Sequence, residues 1–319
     1  MDSLVKDQTL SQEKITVVGT GLMGHSIALS IAWAGDFVKL YGINQDEITK
    51  AKNHILEKLE NLVGNELITN EEKDAVWACF SYEDELEAAL EDATMVIEAA
   101  PENLELKQGL YEQMDRICNK EVILASNTSS LQPTKIASFA RNPERILVAH
   151  FWNPAHLLPL VEVVLGEKTE ERFVERTMKV LKKLNKEPIR VEKEILGFVG
   201  NRLQYALFRE AQYIYEEGVC TVEEIDKAVE TSIGRRLGAT GPFMTADMGG
   251  LDVFSSISDY IFPDLSNEDS SLATMKEKVS DGKYGQKNGE GFYKWDEAFS
   301  RYKNQERENE LIRWIKKEQ

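Results

Sequence analysis

Cysteine is scarce in this chain: Cys79, Cys118 and Cys220 lie far apart among 319 residues. An odd, widely spaced set suits neither a disulfide framework nor the paired spacing of a zinc site. All three are expected to be buried, acting as small apolar residues. Long apolar runs are missing too, and none approaches the about 18 residues of a bilayer-spanning helix, so no membrane partner is expected. The N-terminal MDSLVKDQTLSQEK is polar and mixed in charge. It has neither the apolar centre of a secretory signal nor the Arg-rich, acid-poor character of a transit peptide, which sets the expectation of a soluble, cytoplasmic protein. Cations are outnumbered, 38 Lys and Arg against 55 Asp and Glu, for a net charge of −17. No basic run is interleaved with aromatics, so nucleic acid is not an expected partner. The same acidity weighs against a polyanionic substrate unless a local basic patch holds it. No cluster of ligands suggests a metal.

What is present argues for two domains, because 319 residues with 42% hydrophobic content exceed what a single core usually supports. From Lys14 to Glu192, short β-branched runs alternate with amphipathic stretches, the pattern of βαβ units in a mostly parallel sheet covered on both faces. ITVVG at 15–19, VKLYG at 38–42, MVIEAA at 95–100, VILAS at 122–126 and ILVAHF at 146–151 read as strands, with LVEVVL at 160–165 and PIRV at 188–191 extending the sheet. The interval between the second and third strands reads as a longer helical section, with Thr69 and Glu72 forming a capping box for a helix near 70–78. After about residue 193 the strand-like runs stop. A helix from Asn201 to Glu217 closes at Gly218, and Thr221 with Glu224 caps the next. The polar PDLSNEDSS from Pro263 reads as a loop, and Asp296–Gln319 as a charged helix carrying Leu311, Ile312, Trp314 and Ile315. The expected fold is α/β: a Rossmann-type doubly wound sheet over 1–192, followed by an all-helical domain over 193–319.

Directly after the first strand, Gly19, Thr20, Gly21, Leu22, Met23 and Gly24 form GxGxxG and lead into the apolar helix Ile27–Ala34. Gly19 permits the tight turn, Gly21 lets the backbone approach a pyrophosphate, and Gly24 lets helix and strand pack closely, with the helix N-terminus facing the phosphates. This position, more than the letters, points to a dinucleotide. The end of the second strand, where an acidic residue usually grips the adenosine ribose, holds Gly42. Asn44 is the substitute ribose contact. Loss of the carboxylate leaves NADP open, yet no Arg follows Gly42 to receive a 2′-phosphate, so NAD is favoured.

There are four histidines: His25, His54, His150 and His156. His25, just inside the glycine-turn helix, and His54 read as structural or solvent-facing. His156, in the loop after the fifth strand, reads as a surface residue, with lining of the cleft as the alternative. His150 ends the ILVA strand, at the sheet edge where open α/β proteins bind ligands. Twelve residues on, Glu162 is the lone charge in an otherwise apolar strand, where a carboxylate is costly unless paired. A Glu bonded to one imidazole nitrogen fixes the tautomer and stabilises the imidazolium formed when the other nitrogen takes a proton. Oxidation of an alcohol by NAD needs such a base. A purely structural His–Glu pair is the alternative.

GTGLMG at 19–24, EAAPENLELK at 98–107, ASNTSSL at 125–131, HFWNP at 150–154, LVEVV at 160–164, GFVGNRL at 197–203 and KNGEGFYKW at 287–295 together resemble the L-3-hydroxyacyl-CoA dehydrogenase superfamily. That family includes 3-hydroxybutyryl-CoA dehydrogenases, lambda-crystallin with its L-gulonate dehydrogenase activity, and L-carnitine dehydrogenases. The resemblance implies His150 as general base and Glu162 as its partner. It also implies Ser129 as a donor to the substrate oxygen and the nicotinamide region, and Asn201 as a further donor. Glu102, Lys107, Asn153 and Lys287 match the family's cofactor-contacting positions, and a homodimer formed through the helical domain is implied as well.

Three departures stand out: Gly42; Trp152, where many members carry Phe or a smaller residue; and residues 60–75, which hold a single lysine where acyl-CoA members place basic residues. The leading expectation is NAD-dependent oxidation of a short-chain L-3-hydroxyacyl-CoA to the 3-ketoacyl-CoA, an activity of fatty acid metabolism. Oxidation of a free 3-hydroxy acid such as L-carnitine or L-gulonate, with Arg235 and Arg236 meeting its carboxylate, is the second. A nucleotide-binding protein without turnover is the third.

Overall fold

The computed structural model describes residues 13–318. Most of the polar N-terminal segment read above as lacking a leader lies outside them. The strands are β1 Ile15–Val18, β2 Val38–Tyr41, β3 Phe80–Glu83, β4 Met95–Glu98, β5 Ile123–Ser126, β6 Ile146–Phe151, β7 Leu160–Leu165 and β8 Glu187–Val191. The helices of the first part of the chain are α1 Leu22–Trp33, α2 Gln45–Gly64, α3 Asn70–Trp77, α4 Leu86–Leu90, α5 Leu104–Ile117, α6 Pro133–Ile136 and α7 Glu171–Lys183. They are followed by α8 Gly200–Glu216, α9 Val222–Thr231, α10 Ile233–Leu237, α11 Pro242–Gly249, α12 Leu251–Ile261, α13 Ala273–Ser280 and α14 Glu297–Glu318.

One sheet runs β3-β2-β1-β4-β5-β6-β7-β8. All neighbours are parallel except β6 and β7. The order reverses between β1 and β4, which opens a crevice at their carboxyl ends, the place where doubly wound sheets take ligands. Central strands are apolar on both faces because both are covered. Ile15, Val17, Met95 and Ile97 pack on one side with α1, α2 and α7 residues such as Ile27, Leu59 and Leu181. Val18, Val96 and Leu124 pack on the other with Tyr111 and Met114 of α5.

The chain divides into two compact units. The first runs through Asn201 and takes in the chain again from Arg307, and the second spans Arg202–Glu306. The sequence reading assigned all of 193–319 to the helical part. The return of the tail has a plain cause: Ile312 is buried in the first core and Leu311 and Ile315 pack against it. In the second unit, Thr221 and Glu224 form the expected capping box on α9, and Gly218 adopts φ +68° just past α8. The capping box on α3 is also present. Strand β3, by contrast, lies inside the interval read as helical. It is a short edge strand, FSYE, with no fully buried residue.

Candidate active site

The glycine turn is shaped by clearances. Gly19 has φ +115°, and a Cβ there would come 2.7 Å from the carbonyl oxygen of Ala99. A Cβ on Gly24 would fall 1.9 Å from the Gly19 oxygen, so that position cannot carry a side chain while the turn keeps its form. At Gly21, a Cβ would meet nothing within 4 Å. Gly21 is also the N-cap of α1 and supplies no side-chain capping bond, which leaves the first amides of the helix to an outside acceptor. Open space over unsatisfied N–H groups at a helix N-terminus fits a pyrophosphate. Leu22 is exposed beside it, while Met23 packs against the core.

Gly42 closes a question raised by the sequence. A Cβ there would lie 2.8 Å from both Ile48 Cγ1 and Thr20 Cγ2, so the position usual for the acidic residue is sterically shut. Asn44 Oδ1 accepts from the amide of Glu47 at 2.9 Å and caps α2, which leaves its Nδ2 free to donate.

Beyond β4, Glu102 organises the Ser-Thr loop after β5. It accepts from Thr128 Oγ1 at 2.6 Å, from the Ser129 amide at 3.2 Å and from Ser130 Oγ at 3.1 Å. Lys107 stands behind it, 1% exposed, 2.5 Å from Glu98 Oε1 and 3.7 Å from Glu102 Oε2. Glu98 also accepts from Ser126 Oγ at 2.7 Å. Asn127, one residue on, holds the end of β6 by accepting from the Phe151 amide at 2.8 Å. Sequence reasoning missed Glu98 and Asn127. The signal for Glu98 was the one that revealed Glu162, a lone charge in an apolar strand. Asn153 is exposed past the end of β6, and Lys287 is exposed within the second unit.

His150 and Glu162 lie directly opposite each other on the antiparallel pair β6–β7. Side chains in that relation are natural contacts, and His150 Nδ1 is 2.7 Å from Glu162 Oε2. His150 is 4% exposed and Glu162 is 0%. Burial pushes the Glu162 carboxyl up, but bonds from His150 and from the amides of Gly200 and Val199 outweigh it and hold it below the usual range. Those amides sit 3.0 and 2.8 Å from Oε1. An ionised carboxylate only accepts, so Nδ1 carries the proton and Nε2 of the neutral ring is the acceptor. Nε2 lies 3.2 Å from Ser129 Oγ. Asn201 Nδ2 donates to the Ser129 carbonyl at 3.3 Å. The sheet register, the Ser-Thr loop and the start of α8 thus bring His150, Glu162, Ser129 and Asn201 together.

Two expectations fail. His156 is not a surface residue: it is 5% exposed, 2.9 Å from Ser26 Oγ, and burial drives its imidazole down to about 3. Cys220 is exposed, whereas Cys118 is buried and Cys79 intermediate.

Residues 14–195 match the family model of the 3-hydroxyacyl-CoA dehydrogenase NAD binding domain, and 197–295 that of the 3-hydroxyacyl-CoA dehydrogenase C-terminal domain. The 5-formyl-3-hydroxy-2-methylpyridine 4-carboxylate 5-dehydrogenase of Mesorhizobium japonicum is 33% identical over 93% of this chain and 96% of its own. A probable 3-hydroxybutyryl-CoA dehydrogenase of Bacillus subtilis is 34% identical over 90% of this chain and 99% of its own. Among solved structures, a 5-formyl-3-hydroxy-2-methylpyridine 4-carboxylic acid 5-dehydrogenase, described as an NAD-dependent dismutase, superposes with a TM-score of 0.88 at 32% identity, covering 96% of this chain and 98% of that one. The chain therefore belongs to the 3-hydroxyacyl-CoA dehydrogenase family and is an NAD-dependent dehydrogenase acting on a hydroxyl group.

Proposed function

We propose that His150 is the general base of this dehydrogenase, steadied by Glu162, with Ser129 and Asn201 orienting the reacting oxygen. One observation carries the reading: the imidazole gives Nδ1–H to a buried carboxylate and turns a bare Nε2 toward Ser129 Oγ. NAD, when bound, supplies the hydride acceptor. Nε2 takes the hydroxyl proton of the substrate, and the imidazolium so formed is stabilised by Glu162 across the short Nδ1 contact. The Ser129 hydroxyl, no longer facing an acceptor nitrogen, is then free to donate to the developing carbonyl oxygen. Gly19, Gly21, Leu22, Met23 and Gly24 hold the pyrophosphate, Asn44 Nδ2 the ribose, and Glu102, Ser129 and Asn153 the nicotinamide half, with the buried Lys107 behind Glu102.

The substrate reading that fits best is a small free carboxylic acid bearing the hydroxyl. Residues 60–75 offer little to a polyanion: their one lysine, Lys73, is engaged by Glu60 at 2.8 Å, and the chain as a whole carries −17. The pyridine carboxylate dehydrogenase also covers more of this chain, 93% by sequence against 90% for the Bacillus relative. A short-chain 3-hydroxyacyl-CoA is the second reading, favoured by both domain models and by the Bacillus relative. NADH formation with L-carnitine, L-gulonate and a hydroxylated pyridine carboxylate, set beside NADH consumption with acetoacetyl-CoA, separates the two. Turnover of a free acid alone is the expected result. Turnover of acetoacetyl-CoA alone would replace this reading with the thioester. The protein acts in the cytoplasm, with NAD rather than NADP, as a homodimer.

A further inference from the structure

Trp152 follows the base by two residues and makes a contact that Phe could not. Its indole Nε1 donates to Glu162 Oε2 at 3.2 Å, the same oxygen that His150 Nδ1 reaches at 2.7 Å. The other oxygen receives the amides of Val199 and Gly200. Four donors thus fill the four lone-pair sites of one buried carboxylate. The indole is held in place: a Cβ on Gly200 would fall 2.3 Å from its Cζ2, and its ring centre is 5.6 Å from that of His150. Phe198 packs on the imidazole with ring centres 5.5 Å apart and adds no charge. The charged groups facing the pair are Glu162 itself from β7 and, through Ser129, Glu102 with Lys107 behind it.

We propose that Trp152 is a positioning residue that fixes Glu162 Oε2 and shares it with the imidazole, weakening the hold of the carboxylate on the protonated ring. Each donor on that oxygen draws off charge that would otherwise stabilise the imidazolium. The proposal rests on His150 as the base only for its effect on rate. Its effect on the ring itself is separate.

The test compares wild type with Trp152→Phe and with a variant carrying benzothienylalanine at 152, an isostere in which sulfur replaces the indole N–H. The expected result is that the acid limb of kcat/KM moves to higher pH by on the order of half a unit to one unit in both variants, with NADH affinity unchanged. The NMR titration of the His150 ring, assigned by the signal missing from His150→Gln, shifts the same way. A limb and a titration that stay at wild-type positions in the folded isostere overturn the proposal, whatever happens to the Phe variant. Full turnover by His150→Gln would instead remove the base reading, and the NMR shift would still decide the role of Trp152.

Discussion

At the scale of single residues, the proposed chemistry depends on a charge kept where charge is expensive. A carboxylate buried in an apolar strand is tolerated because two amides, an imidazole and an indole satisfy it. Glu162→Gln keeps the shape but brings an amide N–H against donors and removes the charge opposite the imidazolium. We expect kcat to fall on the order of 10²- to 10⁴-fold with NADH affinity retained, read by stopped-flow and fluorescence titration.

Two other histidines set an acid limit on stability. Burial lowers His25 to about 4 and His156 to about 3, against 6.5 for an ordinary imidazole. The unfolded chain takes up these protons first, so stability is complete above about 6.5 and drains as pH falls toward the folded values. Each histidine costs about 2 kcal/mol between pH 6.5 and 5 by this linkage. Urea midpoints at pH 7 and 5 measure the loss, which His156→Gln should roughly halve. The burial of His156 was hidden in the sequence because its partner, Ser26, lies 130 positions away. The bond of Trp152 to Glu162 was hidden because an indole reads as bulk until its N–H has a direction.

At the scale of elements, the sequence carried most of the sheet. Strands buried on both faces read as continuous apolar runs, and the capping boxes of α3 and α9 announced those helices by local chemistry alone. Strand β3 escaped because FSYE sits at an edge, partly exposed, and offers no periodic pattern. The antiparallel turn of β7 also escaped, although it is what sets His150 opposite Glu162.

Two substitutions test elements directly. Gly24→Ala places a methyl 1.9 Å from the Gly19 oxygen, so the turn must open, and NADH affinity should drop at least about tenfold while a Gly21→Ala change, into open space, disturbs the fold little. Ile312→Ala removes a side chain 3% exposed from the inner face of α14. A loss of about 2 to 4 kcal/mol in denaturant unfolding is expected. No loss would mean that the tail does not contribute to the first core.

At the scale of the molecule, the second unit carries an unpartnered surface. Helices α8 to α13 bury no residue in the single chain. Leu203, Tyr205, Phe243, Met248, Leu251 and Tyr260 are all more than half exposed. Monomeric proteins rarely leave so many large apolar side chains exposed, and the proposed homodimer would cover them by two-fold symmetry. Light scattering should give twice the 36.2 kDa of one chain, and a stable monomer would contradict this.

The central claim is that one imidazole accepts the proton whose departure allows oxidation. It is tested most directly by His150→Gln, measuring kcat/KM with the substrate found in the panel alongside NADH affinity. Turnover lower by on the order of 10²- to 10⁴-fold with unchanged NADH binding is the predicted result. Turnover within a few-fold of wild type would show that the proton leaves by another route.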